Sequence, residues 1–272
     1  MQKLAIVTGG NSGIGKQIAL MLANANHDVL IGCRDTKKGA ATAEEIMMRF
    51  PEVSVEVRKL DLSDLDSVAR FGIAQSKQWD VLVNNAGAKI EKPLKLTKQG
   101  YEWHLGVNHL GHFALTADLW STASTNATVT TVSSVVAREG KLNFEIQDGQ
   151  FHQAKQYANS KLMNYAFAMM LSQKLRGTGR VSTAAHPGFA KADAYGNLGI
   201  RIAEYILAQS AKAGAMSIFE ASTSKNGTYL APGVFELWGK PSEAKHHLIG
   251  NDEFEKFWHK SEMLTGRKFL SD

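Results

Sequence analysis

The chain lacks most of the devices that staple or anchor a fold from outside. Its 272 residues contain one cysteine, Cys33, so no intramolecular disulfide can form, and no CxxC or Cys/His spacing offers a structural zinc site. This usage fits a reducing cytoplasm, and no metal is expected. Only 5 prolines occur, and no Pro/Gly/Ser-rich stretch divides the sequence, which argues for one domain over residues 1–272. No apolar run approaches the roughly 18 residues that a membrane-spanning helix needs. Met1-Gln2-Lys3 passes straight into Leu4-Ala5-Ile6-Val7, too short an apolar stretch for a signal peptide. A soluble chain without a membrane anchor is therefore expected. The charge excess is small: 31 Lys+Arg stand against 26 Asp+Glu, a formal +5, and the basic residues come in pairs such as Lys37-Lys38 and Arg267-Lys268. That pattern suits anionic small molecules and offers no patch for nucleic acid.

What is present is a globular balance, with 44% hydrophobic and 21% charged residues. Short apolar runs alternate with longer amphipathic ones. Strands are predicted at Leu4–Thr8, Asp28–Cys33, Ser54–Lys59, Val81–Asn84, Thr128–Val132 and Val181–Ala185, with a last one near Tyr229. Helices are predicted at about 13–26, 36–49, 63–77, 99–124, 152–176 and 210–223. Near-continuous apolar strands alternating with helices predict an α/β fold: a doubly wound parallel sheet of about seven strands with helices on both faces. Ser63-Asp64-Leu65-Asp66 predicts a helix start capped by Ser63. The segment 189–209 follows a strand end and mixes Gly196 and Gly199 with Tyr195, Leu198, Ile200 and Ile202; it reads as a helical lid or as a surface helix. Met47-Met48 and Met169-Met170 read as core or interface filler. His104, His109 and His112 read as structural polar groups on one helical face, and His246-His247 with Asp252-Glu253 as a solvated loop.

The first strand runs into Thr8-Gly9-Gly10-Asn11-Ser12-Gly13-Ile14-Gly15 and then a helix. Gly9, Gly13 and Gly15 permit a tight turn, backbone approach to a pyrophosphate and close helix–strand packing, while Asn11, Ser12 and Ile14 place N–H groups at the positive helix end. Such a turn alone can be purely structural; its position after the first strand is what makes it a dinucleotide site. At the end of the second strand Arg34, followed by Lys37 and Lys38, suits a ribose 2′-phosphate and predicts NADP(H). Asp35 points the other way, since a carboxylate there can hold a free ribose or cap the next helix.

Tyr157 has Lys161 four residues later, on one helical face. A cation beside the phenol favours its ionisation and brings it toward useful acid/base work, although the same spacing is common on plain helix surfaces. Upstream, a strand ends in Val132-Ser133-Ser134, where a hydroxyl can polarise a carbonyl.

With these motifs in order, the chain resembles the short-chain dehydrogenase/reductase family over nearly its whole length, and with it the Rossmann fold. Thr8-Gly9 with Gly13 and Gly15 resembles its cofactor turn, Asn84-Asn85-Ala86-Gly87 its central-strand motif, and Tyr157 with Lys161 its catalytic pair. The resemblance implies Tyr157 as general acid in reduction, Lys161 as its partner and nicotinamide-ribose ligand, Ser134 rather than Ser133 on the substrate oxygen, and Asn108 anchoring a relay water. It implies Asp61 and Leu62, with Asn85, Ala86 and Gly87, on the adenosine side, and Pro187-Gly188 beside the nicotinamide. The likeness is strongest to the retinol dehydrogenase-like and protochlorophyllide reductase-like branch, on Gly10–Lys16, Cys33-Arg34-Asp35, Asn108–Phe113, His186-Pro187-Gly188 and Phe257–Gly266. Where the family often has a threonine after that turn, this chain has Ala192. The implied activity is NADPH-dependent reduction of an apolar aldehyde or ketone, or the reverse alcohol oxidation, with a homodimer through helices 99–124 and 152–176 as the implied assembly. A non-catalytic NADP(H)-binding regulator and an epimerase or dehydratase on the same scaffold are the alternatives.

Overall fold

The computed structural model describes residues 2–88, 93–145, 151–188, 210–244 and 250–270. The segment 189–209 expected as a lid, Ala192 within it, and His246-His247 lie outside the described residues.

Eight strands form one sheet in the order β3-β2-β1-β4-β5-β6-β7-β8. They are β1 Lys3–Thr8, β2 His27–Cys33, β3 Val55–Lys59, β4 Trp79–Asn84, β5 Ala123–Val132, β6 Val181–Ala185, β7 Tyr229–Val234 and β8 Trp238–Glu243. The first seven run parallel, and β8 pairs antiparallel with β7. This is the expected doubly wound α/β fold with one strand more. The chain order reverses between β1 and β4, so the crevice above their carboxyl ends is where such sheets bind ligands.

The helices are α1 Gly13–Asn24, α2 Thr36–Arg49, α3 Leu65–Ile73, α4 Gly111–Leu119, α5 Gln153–Lys174, α6 Ala211–Ala221 and α7 Asn251–Thr265. Successive strand residues feed opposite faces. Ala5, Val7, Val29, Ile31, Val81 and Val83 pack with Ile18, Leu22, Ile46 and Ile218 of α1, α2 and α6. Ile6, Leu30 and Leu82 pack with Phe71, Phe113 and Phe167 of α3, α4 and α5.

Several expectations are corrected. The helix expected at 99–124 is a π-helical stretch, Leu105–Leu110, then α4, then a 3-10 turn, Trp120–Thr122. The Trp79 indole N–H donates to Leu119 O at 2.9 Å and helps end α4, and β5 begins at once with a bulge opposite Trp79–Val81. The cap of α3 is Asp64, whose carboxylate accepts from Asp66 N at 3.0 Å, because Ser63 gives its hydroxyl to Asp61 at 2.7 Å. Met47 and Met48 are exposed rather than core, whereas Met170 is buried. Two elements were not foreseen, β8 and α7.

The turn joining β7 to β8 has Phe235 and Glu236 at its centre with φ of +52° and +58°, closed by Leu237 N–H on Val234 O at 2.9 Å. Residues with a Cβ pay about 1–2 kcal/mol each for this left-handed backbone. Helix α7 packs against α4 and α5 through an aromatic cluster: Trp258 lies 5.1 Å from Phe113, 5.9 Å from Phe167 and 5.2 Å from Phe269 between ring centroids. No helix among the described residues is long and apolar enough to cross a membrane.

Trp258 is 3% exposed at the centre of this cluster. Trp258→Ala is expected to cost about 3–5 kcal/mol of stability in urea unfolding, and a loss under about 1 kcal/mol would mean that α7 is dispensable for the packing of α4 and α5.

Candidate active site

The glycine turn is built as its residue types require. Gly9 and Gly13 take φ of +67° and +52°. A Cβ on Gly15 would lie 2.3 Å from Gly9 O and 2.5 Å from Asn85 Nδ2, so α1 reaches β1 only because that position is glycine. A Cβ on Gly13 would meet nothing within 4 Å. The turn is thus packed below and open above, over the N-terminus of α1, whose cap residue Ser12 uses no side-chain hydrogen bond and whose first turn holds no acidic residue. Asn11 and Ile14 are half-buried and Ser12 exposed at this rim. An open cradle of N–H donors at a positive helix end fits a pyrophosphate.

Arg34, Lys37 and Lys38 are exposed where β2 leaves the sheet. Asp35 caps α2, accepting from Lys38 N at 3.1 Å. One of its carboxylate oxygens caps the helix. Asp61 holds Ser63 through one carboxylate oxygen, and the Leu62 side chain is buried in the core.

The second wall is fixed by Thr8. Its hydroxyl accepts from Asn85 N and Ala86 N, both at 2.9 Å, and Asn85 Nδ2 donates to Thr8 O at 2.8 Å. Asn84 turns inward and donates to Thr116 at 3.1 Å. Gly87 brings the backbone beside the reacting groups: a Cβ there would be 3.4 Å from Asn108 Oδ1 and 3.6 Å from Lys161 Nζ.

Tyr157, Lys161 and Asn108 are brought together, with Ser134 at the adjoining end of β5. Lys161 Nζ stands 5.7 Å from the centroid of the Tyr157 ring and donates to Val132 O at 3.3 Å. Asn108 Oδ1 accepts from Ala88 N at 2.6 Å, and its Nδ2 donates to Ser160 Oγ at 2.9 Å, whose own proton goes to Tyr157 O at 2.8 Å. Both polar atoms of the Asn108 side chain therefore brace protein groups, tying the segment after β4 to α5. Ser133 is buried and donates to Lys161 O at 2.8 Å, leaving the half-buried Ser134 as the hydroxyl at the strand end.

The electrostatics differ from the expectation of a depressed tyrosine. Burial pushes the Tyr157 phenol above its ordinary value, and burial lowers Lys161 to about 8. At neutral pH Tyr157 keeps its proton and Lys161 its charge. His112 and His109 are lowered by burial to about 4 and about 3, so both rings are neutral.

Sequence reading missed Glu102 and took His104 and His112 only as structural polar groups. Glu102 is buried, takes His104 Nδ1 at 2.7 Å and caps Leu105 N at 2.9 Å; the His104 ring meets Tyr157 edge-on at 5.8 Å. His112 bridges Asn108 O and Thr8, each at 2.9 Å. The four-residue step from Asn108 to His112 was the available signal. Pro187-Gly188 follows β6, with Gly188 N donating to His186 Nδ1 at 2.9 Å. A cleft of about 640 Å³ opens beside the start of α5, lined by Pro93, Phe151, His152, Gln153 and Ala154. Among the described residues, no group of three or more His, Cys, Asp or Glu is placed to hold a metal.

A profile described as short chain dehydrogenase matches residues 3–201. Retinol dehydrogenase 12 from Homo sapiens is 42% identical over 198 residues, covering 70% of this chain and 62% of that protein. Retinol dehydrogenase 13 from Homo sapiens is 37% identical over 206 residues, covering 73% and 62%. The chain thus spans under two thirds of the length of these curated relatives. Among solved structures, a putative uncharacterized protein from Mycobacterium paratuberculosis superposes with a TM-score of 0.83 at 33% identity, over 98% of this chain and 95% of that one. A short chain dehydrogenase from Burkholderia cenocepacia in complex with NADP shares the fold at a TM-score of 0.67 and 22% identity, over 88% and 96%.

Because burial disfavours the charged form of Lys161 relative to the unfolded chain, it opposes folding fully below pH about 8, and this cost fades as pH rises to the free value of 10.5. Lys161→Met removes that cost, on the order of 3 kcal/mol at pH 7, and Val132 O keeps Asn164 Nδ2 at 2.9 Å. The variant should be at least as stable as the parent in urea at pH 7 and should lack the parent's rise in stability between pH 8 and 10.5. A clearly destabilised variant would show that the ammonium is a net support of the fold.

Proposed function

The chain belongs to the short-chain dehydrogenase family, and we propose that it is an NADP(H)-dependent oxidoreductase reducing the carbonyl of an apolar aldehyde or ketone, with alcohol oxidation as the reverse. The observation that carries this is the approach of Asn108 and Lys161 to Gly87, with the Tyr157 ring beside Lys161, next to an open glycine cradle.

In this reading Gly9, Asn11, Ser12, Gly13, Ile14 and Gly15 hold the pyrophosphate, and Arg34 the 2′-phosphate. Asp61, Leu62, Asn85, Ala86 and Gly87 border the adenosine side, and Pro187 and Gly188 the nicotinamide side. NADPH, when bound, supplies the hydride that reduces the substrate carbon. Ser134 donates a hydrogen bond to the substrate oxygen and orients it. Tyr157 gives its phenolic proton to that oxygen; a phenol whose burial keeps it protonated is suited to the acid role. Lys161 holds positive charge beside the phenol, favours the phenolate left behind and binds the nicotinamide ribose. Asn108 keeps α5 and the segment after β4 at fixed separation and is the proposed anchor of a relay water.

Similarity to proteins named retinol dehydrogenases supports an apolar substrate, and Pro93, Phe151 and Ala154 give the cleft at the start of α5 apolar lining beside His152 and Gln153. The proposed setting is the cytoplasm, and Cys33 is free and buried there. A homodimer through α4 and α5 is the proposed assembly, and α7 packs on both of these helices.

NADPH consumption over a panel of aliphatic, aromatic and retinoid-like carbonyls tests the assignment: turnover is expected with some member and should fall by about 10³-fold or more in Tyr157→Phe. Tight NADPH binding with no turnover on any compound would favour the regulator instead. Arg34→Ala should weaken NADPH by about tenfold or more while leaving NADH unchanged; equal affinity of parent and variant for NADPH would remove the 2′-phosphate assignment.

A further inference from the structure

Glu236 lies outside every motif that carries the family resemblance, yet its carboxylate stands between two segments at the reacting end of the cleft. One oxygen pairs with the guanidinium of Arg138, in the 3-10 turn Val135–Glu139 that directly follows Ser134. The other, Oε2, stands 3.5 Å from His186 Nε2, and among the described residues neither of these two atoms has a hydrogen-bond partner.

The protonation of His186 follows from its other nitrogen. Nδ1 accepts the Gly188 N–H at 2.9 Å and so carries no proton. Burial lowers His186 to about 4, so the ring is neutral near pH 7 and its single proton sits on Nε2, facing Glu236. A line of polar contacts then runs from Arg138 through Glu236 and, across 3.5 Å of electrostatic contact rather than a formed hydrogen bond, to His186 and the backbone of Gly188.

The hairpin does not need glutamate for its own sake. Its central positions have left-handed backbone, which Asn-Gly or Gly-Gly would fill without strain, and here they hold Phe235 and Glu236. A strained residue with a largely buried carboxylate persists where its surroundings over-determine it, a pattern concentrated at functional sites. Both ends of the polar chain reach segments flanking the reacting centre, one after β5 and one after β6.

We propose that Glu236 is a positioning residue: through His186 it fixes the Pro187-Gly188 turn, and through Arg138 the segment behind Ser134, so that together they seat the nicotinamide ring. This rests on the reading above that the turn borders the nicotinamide.

The test compares NADPH with adenosine 2′,5′-bisphosphate, which carries the adenosine and 2′-phosphate but no nicotinamide, by calorimetry on the full chain. Wild type, Glu236→Gln and Glu236→Gly are used; the glutamine is isosteric, and the glycine suits the left-handed backbone while removing the carboxylate. Each variant is expected to bind NADPH about fivefold or more weakly and the bisphosphate unchanged, with Glu236→Gly melting no lower than Glu236→Gln. A merely structural role would weaken both ligands alike, and that result, or unchanged NADPH affinity in the variants that fold, overturns the proposal. Should only one variant fold, its ratio of the two affinities decides. A wild type that binds neither ligand overturns the cofactor reading itself, and the proposal with it.

Discussion

The candidate site depends on the proton of one buried hydroxyl, that of Thr8. The oxygen accepts from Asn85 N and Ala86 N and so has its acceptor positions filled. Its single proton has two candidate acceptors, His112 Nε2 at 2.9 Å and Val83 O at 3.3 Å. His112 Nδ1 faces Asn108 O, a carbonyl that can only accept, so that nitrogen carries the hydrogen. Burial holds the ring neutral, which leaves Nε2 as an acceptor and assigns the Thr8 proton to it. One hydroxyl therefore joins the entry to the glycine turn, the segment after β4 and the stretch carrying Asn108. Each of its partners is buried or half-buried, where an unpaired polar group costs about 1–3 kcal/mol, so the three segments are held in one relative arrangement.

From that hub the arrangement passes to the reacting groups by short steps. Asn108 takes its backbone position from His112 and gives its side chain to Ala88 and Ser160, one residue before Lys161. Ser160 in turn holds the carbonyl of Tyr157. From the other side Glu102 caps the start of the Asn108 stretch and presses His104 against the Tyr157 ring. Burial acts on the two central groups in opposite senses, raising Tyr157 and lowering Lys161, because it disfavours whichever form is charged. The tyrosine is thereby kept as an acid, while the lysine, a cation at neutral pH in spite of its burial, gives up its proton above pH about 8.

The parts legible in the sequence were those whose chemistry is local. The glycine turn declares itself because only glycine tolerates its backbone, and the Tyr157–Lys161 step because helix geometry puts positions four apart on one face. Strands β1, β2 and β4 were readable as apolar runs covered on both sides. Strand β8 was not: Trp-Gly-Lys-Pro-Ser-Glu is polar and proline-containing, and among the described residues it pairs along one edge, with β7. Helix α7 did carry a signal, since Phe254, Phe257, Trp258 and Ser261 recur at helical spacing, but the run was read as a family motif instead of a helix. No local rule would have placed Glu236 in a left-handed turn, nor joined it to His186 and Arg138, because those contacts exist only once β7 and β8 have paired.

The three histidines between residues 104 and 112 illustrate why one residue type on one segment cannot be given one role. His112 accepts at the hub, His104 bears on the Tyr157 ring, and His109 points away, bonded to Ser261 of α7 at 2.8 Å and set 4.9 Å from the Phe257 ring. The π-helical stretch Leu105–Leu110 lies within this run and shifts the helical phase inside it. His109 ties the stretch to the carboxyl-terminal helix, while Glu236 reaches the far side of the cleft from the last hairpin. The carboxyl-side helix thus touches the Asn108 stretch, and the last hairpin touches the segments after β5 and β6. The doubly wound sheet sets where the cleft is, and these later elements set how firmly its reacting groups are held.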